Sequence, residues 1–189
     1  MNRSLGEYER VSVQLGRPAR GLKEVMCRRQ DGTPLVIRVA NVVDRRPFPT
    51  LFWLTDPEAT RLVGELESNG WAADLQGKLD EEPTLIQQMT RDHQALMAQR
   101  RSYLTREEKE ALIGLDCLDS FLDKGVGGVS NFSRVRCLHA WFASHLVIEN
   151  TIGKLIVSEL RESHPDFFES IDTVRMNAAL PDAPFRESN

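Results

Sequence analysis

Pro47-Phe48-Pro49 separates two stretches of chain that follow different periodicities. Two prolines one residue apart cannot support a regular ladder or continue a helix, so a rigid extended connector is expected here. Before it, Leu22 to Arg29 and Pro34 to Ala40 are short runs joined by Asp31-Gly32, with Val36, Ile37 and Val39 suited to a pleated surface. That is the pattern of a β-hairpin. Residues 7 to 15 precede it as a short helix stopped by Gly16 and Pro18, and Thr50 to Leu54 supplies an expected third strand.

Beyond the connector the strong signals are helical. Thr55-Asp56-Pro57-Glu58 opens a helix with Leu62, Val63 and Leu66 on its apolar face, ending at Asn69-Gly70. A long helix is expected from about Pro83 to Leu104. Thr105-Arg106-Glu107-Glu108 is a capping box for another that lasts to about Lys124. After Gly125-Val126-Gly127-Gly128, helices are expected over Ser133 to Glu149 and Thr151 to Ser163. A weaker one covers Phe167 to Leu180, ahead of a frayed end. Strands followed by helices, without repeat or linker, describe an α+β fold in a single domain over 1–189. A small N-terminal antiparallel sheet of about three strands is packed with a larger C-terminal set of helices.

Hydrophobic residues make up 41% of the 189, enough for one substantial core. The first residues carry no apolar signal segment, and the nearly uncharged stretch Leu138 to Ile148 is too short to span a membrane. Three cysteines without framework spacing fit reduced thiols, so a cytoplasmic location is expected. A net charge of -4 disfavours nucleic acid as a partner, although residues 17 to 46 hold eight Arg and Lys against three Asp and Glu. That basic region either meets an acidic partner or is neutralised within the fold.

Two places carry chemistry-bearing residues. In the long helix Ile86, Met89, His93, Met97, Arg100 and Leu104 share one face, which sets His93 and Arg100 on the core stripe. A guanidinium there requires partners, either a structural salt bridge or an anion bound at a cleft. The second place is Arg134-Val135-Arg136-Cys137-Leu138-His139. A cysteine near a helix start between arginines is placed to be a reactive thiolate, with His139 or His93 as its base. The favoured reading of the residue is nonetheless a buried small apolar cysteine. On a helix Cys137 and His139 project about 200° apart and His139 and His145 about 240°, so no metal is expected unless Cys137 precedes the first turn. His145, on a stripe with Leu138 and Phe142, reads as a satisfied core histidine. The glycines at 125 to 128 match no phosphate-binding loop, and no cofactor is implied.

The chain resembles the uncharacterised bacterial family catalogued as domain of unknown function number 501. The resemblance is carried by Gln14-Leu15-Gly16-Arg17, Arg20-Gly21, Gly32-Thr33-Pro34-Leu35-Val36-Ile37, Pro47-Phe48-Pro49-Thr50-Leu51 and Leu54-Thr55. It continues through His93 with Arg100, Gly127-Gly128, the run from Arg134 to Ala140, His145-Leu146, and Asn150 with Gly153, covering about residues 12 to 157. Where the family tends to have a cysteine this chain has Arg29, with Cys27 nearby, and the family's Asn-Pro pair is here Asn150-Thr151. The loop before Phe48, glycine-containing in the family, is Asp44-Arg45-Arg46. The resemblance implies that the arginines, His93, Cys137, His139 and Asn150 belong to a common pattern, and it supplies no activity.

The leading expectation is a non-catalytic binding or regulatory protein. His93, Arg100, Arg134, Arg136, Cys137, His139 and Asn150 would line a cleft between two helices that receives a small anionic ligand. The alternatives are an interaction protein using the basic N-terminal region to bind an acidic partner or nucleic acid, and an enzyme with Cys137 as nucleophile and histidine as acid or base (candidate His139), for which the sequence names no orienting carboxylate.

Overall fold

The computed structural model describes residues 6–171. It opens with α1 (Glu7–Leu15), capped by Gly6 and ended by a left-handed Gly16. The hairpin follows as β1 (Leu22–Arg28) and β2 (Pro34–Val39). Gly32 turns the chain at φ 84°, and the Asp31 carboxylate accepts from the Thr33 amide at 2.8 Å, which closes the turn. Next come the two-residue ribbon β3 (Val42–Val43) and β4 (Arg46–Pro47), then β5 (Phe52–Leu54). The main sheet is antiparallel in the order β1-β2-β5, with Ile37 opposite both Val25 and Trp53. Pro47 was expected only in an extended connector, yet it pairs with Val42, because this ribbon's short end leaves its missing N–H without consequence.

The helices are α2 (Pro57–Ser68), α3 (Trp71–Glu81), α4 (Pro83–Tyr103), α5 (Arg106–Gly114), α6 (Leu118–Leu122), α7 (Leu138–His145), α8 (Thr151–Ser163) and α9 (Pro165–Glu169). A short 3-10 turn at Val126–Gly128 lies between α6 and α7. Asp56 caps α2 by accepting from the Ala59 amide, and Thr105 with Glu108 forms the capping box of α5. The helix expected from Thr105 to Lys124 is split, with Asp116 in left-handed conformation (φ 51°) between α5 and α6. Of the helix expected over Phe167 to Leu180, α9 ends at Glu169; residues 172–189 lie outside the described residues.

Two apolar clusters flank the sheet. Val11, Ala19, Ile37 and Val39 pack on the α1 side, while Val36, Leu51 and Phe52 join the main core with the helices. Helix α7 is the centre of that core: Leu138, Ala140, Trp141, Phe142, Ala143 and Ser144 are all buried, against β5, α2 and α8. An all-round apolar helix is what a position inside other elements demands. After α9, Ile171 forms an isolated antiparallel bridge with Arg29, next to the end of β1. Among the described residues no helix is long and apolar enough to cross a membrane.

Candidate functional site

The residues singled out in the sequence fall into two groups. His93 and Arg100 do lie on the core face of α4, as their spacing requires, and both are completely buried. Among the described residues Arg100 makes no salt bridge, the structural partner that the sequence suggested. Its guanidinium donates to the carbonyls of Pro49 at 2.8 Å, Lys124, Gly125 and Phe121, so backbone dipoles balance the charge. Burial, followed by the nearby Arg101 charge, lowers its pKa to about 10, which still leaves it charged at neutral pH. It binds α4 to the Pro49 connector and to the end of α6.

His93 accepts from the Val126 amide through Nδ1 at 2.9 Å and stacks on Phe132 with ring centroids 4.5 Å apart. Burial pushes its pKa down to about 4, so it is neutral. Gly125 passes so close that a Cβ there would collide with the imidazole. Asn150 is likewise engaged: it caps α8 by accepting from the Gly153 amide at 2.7 Å and donates to the carbonyls of Trp141 and Ile148. His145 accepts from the Asn150 amide through Nδ1 at 3.1 Å, and burial is the largest influence lowering its pKa. These side chains tie core elements together, while His93 Nε2 and Arg100 Nε, both buried, have no hydrogen-bond partner among the described residues.

Cys137 and His139 form the second group, and here the expected helix start is corrected. Residues 133–137 are not helical. The Gln76 side chain of α3 accepts from the Val135 amide at 2.9 Å and donates to the Ser133 carbonyl at 3.0 Å, pinning this non-helical stretch. Cys137 is the residue before α7, at φ 52° and ψ 85°, and it is exposed rather than a core cysteine. The helical angle between Cys137 and His139 therefore does not apply, and the two side chains converge.

They converge on α2. Thr60, Gly64 and Glu67 lie on one face of that helix, at spacings of four and three. His139 lies across this face with Nε2 3.0 Å from the Thr60 carbonyl and Nδ1 3.3 Å from a Glu67 oxygen; Gly64 leaves room for the ring. Glu67 also accepts from the Leu138 amide at 2.6 Å, satisfying a free donor at the start of α7. One ligand-type atom from each of Glu67, Cys137 and His139 lies within 4.8 Å of the others. The His139 pKa rises to about 9, chiefly through hydrogen bonding to Cys137, then the Thr60 carbonyl and Glu67, against the opposing effect of burial. Glu67 was not singled out in the sequence: it lies on α2, 71 positions before Leu138, and no local motif connects it to Cys137 and His139.

Two adjoining recesses open beside this cluster. One, of about 370 Å³, is lined by Cys137, His139, Phe52, Trp53 and Arg17. The other, of about 640 Å³, shares Leu15, Arg17 and Trp53 and adds Arg20, Arg46 and Phe48. The Arg17 guanidinium lies 4.8 Å from the Trp53 ring centroid. Among the described residues Arg17, Arg46 and Arg136 make no ion pair, whereas Arg134 faces Asp80 at 3.8 Å. Much of the basic N-terminal region is neutralised inside the fold: Arg20 by Asp44, Arg28 by Glu7, Arg29 by Asp56 and Glu58, Arg38 by Glu24.

Fold and site together define an α+β protein with a buried histidine–arginine framework and an open Cys–His–Glu cluster beside a partly basic recess. The family model described as "Protein of unknown function (DUF501)" matches residues 25–158, and the chain belongs to that family. No curated protein and no solved structure matches it.

Proposed function

We propose that the protein is a non-catalytic binding or regulatory protein for a small anionic ligand with an apolar or aromatic portion. The ligand sits in the joined recesses beside β5, and not between His93 and Arg100. The observation that carries this reading is Arg17. It lies at the junction of the two recesses, stacked on Trp53, with no carboxylate partner among the described residues. A guanidinium over an aromatic ring offers a carboxylate or phosphate a forked donor and a flat apolar wall.

A thermal-shift panel of phosphorylated and carboxylated aromatic metabolites tests it. Stabilisation by a panel member should disappear in Arg17→Ala and weaken in Trp53→Ala, while Lys154→Ala, whose ammonium pairs with Glu149 elsewhere, keeps it. A ligand shift that survives Arg17→Ala would contradict the reading.

A second reading is supported by Glu67, the carboxylate that a Cys137 nucleophile would need beside its histidine. An enzyme of this kind would show Cys137 alkylation at neutral pH that slows at least severalfold in His139→Asn. Equal rates in the two proteins would remove it.

A further inference from the structure

The Glu67–Cys137–His139 cluster has a property that neither reading uses: its donor atoms are sorted as the ligands of one metal ion. We propose that it binds a borderline divalent transition-metal ion, with Zn(II) as the best fit, through the Cys137 sulfur, His139 Nδ1 and a Glu67 carboxylate oxygen.

The argument begins with the imidazole. A carbonyl oxygen can only accept, so His139 Nε2 donates to Thr60, and Nδ1 is the nitrogen that, on giving up its proton, offers a lone pair towards Cys137 and Glu67. A histidine whose other N–H is held by a backbone carbonyl is the usual outer-shell arrangement of a metal ligand. Glu67 is similarly oriented by the Leu138 amide. The thiol is supplied from an exposed left-handed residue outside the helix, which aims it back at the imidazole.

The spacing fits as well. A tetrahedral ion with bonds of about 2.0–2.3 Å sets its ligand atoms roughly 3.3–3.8 Å apart. His139 Nδ1 and the Glu67 oxygen are already 3.3 Å apart, and all three donors fall within 4.8 Å, so closure by about 1 Å completes the set. Thiolate, imidazole and carboxylate together select zinc-like ions over magnesium or calcium, which take oxygen ligands. Three protein ligands leave a fourth position, and Cys137 and His139 both line the smaller recess, where an outside molecule can reach it. On binding, the Cys137 thiol and His139 Nδ1 each release a proton to solvent, and the freed sulfur and nitrogen pairs form the metal bonds.

Cobalt(II) titration of the reduced, chelator-treated full chain tests the site. One equivalent should produce a thiolate-to-cobalt charge-transfer band that Zn(II) displaces. Cys137→Ser should abolish the band, and Glu67→Gln, whose amide oxygen can still accept from Leu138, should weaken binding about tenfold or more. Cys117→Ser and Arg17→Ala should leave it unchanged, the latter separating this site from the anion recess. In the unaltered chain, Zn(II) should also protect Cys137 from alkylation, read by mass spectrometry, independently of whether any variant folds. Absence of a band, a band that persists in Cys137→Ser, or alkylation indifferent to Zn(II) would overturn the proposal.

Discussion

At φ 52° and ψ 85°, Cys137 occupies backbone space that a residue with a side chain enters at a cost of about 1–3 kcal/mol. The surrounding contacts hold it there: Glu67 binds the next amide, and Gln76 fixes the two residues on either side of Arg134. Glycine would enter the same backbone region without that cost. Cys137→Gly should therefore raise stability by about 1 kcal/mol in chemical denaturation, whereas Cys137→Ala, which keeps the Cβ, should not. Arg100 is the opposite case. Its charge is spent on carbonyls inside the protein, so Arg100→Met strands those acceptors and should lower stability by about 3 kcal/mol.

Among the elements, the hairpin, α1, α2, α4, α8 and the capping box of α5 follow from local chemistry that the sequence displays openly. Turn glycine, cap residues and 3.6-residue spacing all agree there. Helix α3 was not anticipated: it buries only Leu75 and Leu79, carries Gly77 in its interior, and starts directly after a left-handed Gly70. The late start of α7 was hidden for a different reason. Nothing from Ser133 to Arg136 forbids a helix; the stretch is held out of helical conformation by Gln76, a residue more than fifty positions earlier. Half of the candidate site was legible for the same reason that half was not: Cys137 and His139 are two residues apart in sequence, while Glu67 arrives by tertiary packing. Packing of α7 on α8 depends on Gly153, where a Cβ would collide with His145. Gly153→Ala should therefore destabilise by about 1–3 kcal/mol despite alanine's better helix propensity.

For the whole molecule, the buried framework links folding to pH. His93 titrates at about 4 in the fold against an ordinary value near 6.5, so its neutral form is the one that folds. Its contribution is complete above about pH 6.5 and is lost as the pH falls through about 4, by roughly 3 kcal/mol. Denaturant midpoints measured across that interval should fall accordingly. His139 has the opposite sign: raised to about 9, it contributes fully below about pH 6.5, and the contribution is lost as the pH rises through about 9. Stability should therefore be greatest around neutral pH and decline on both sides, for reasons located in two different histidines.

The division between an internal His93–Arg100 framework and an open Cys137–His139–Glu67 cluster is the claim on which the functional reading stands. A residue-resolved NMR titration of the histidine rings in the metal-free protein tests it most directly. His139 should hold its proton up to about pH 9, and His93 should stay neutral down to about pH 4. If His93 instead titrates near 6.5, as a solvent-accessible ring would, and His139 shows no upward shift, the division is wrong.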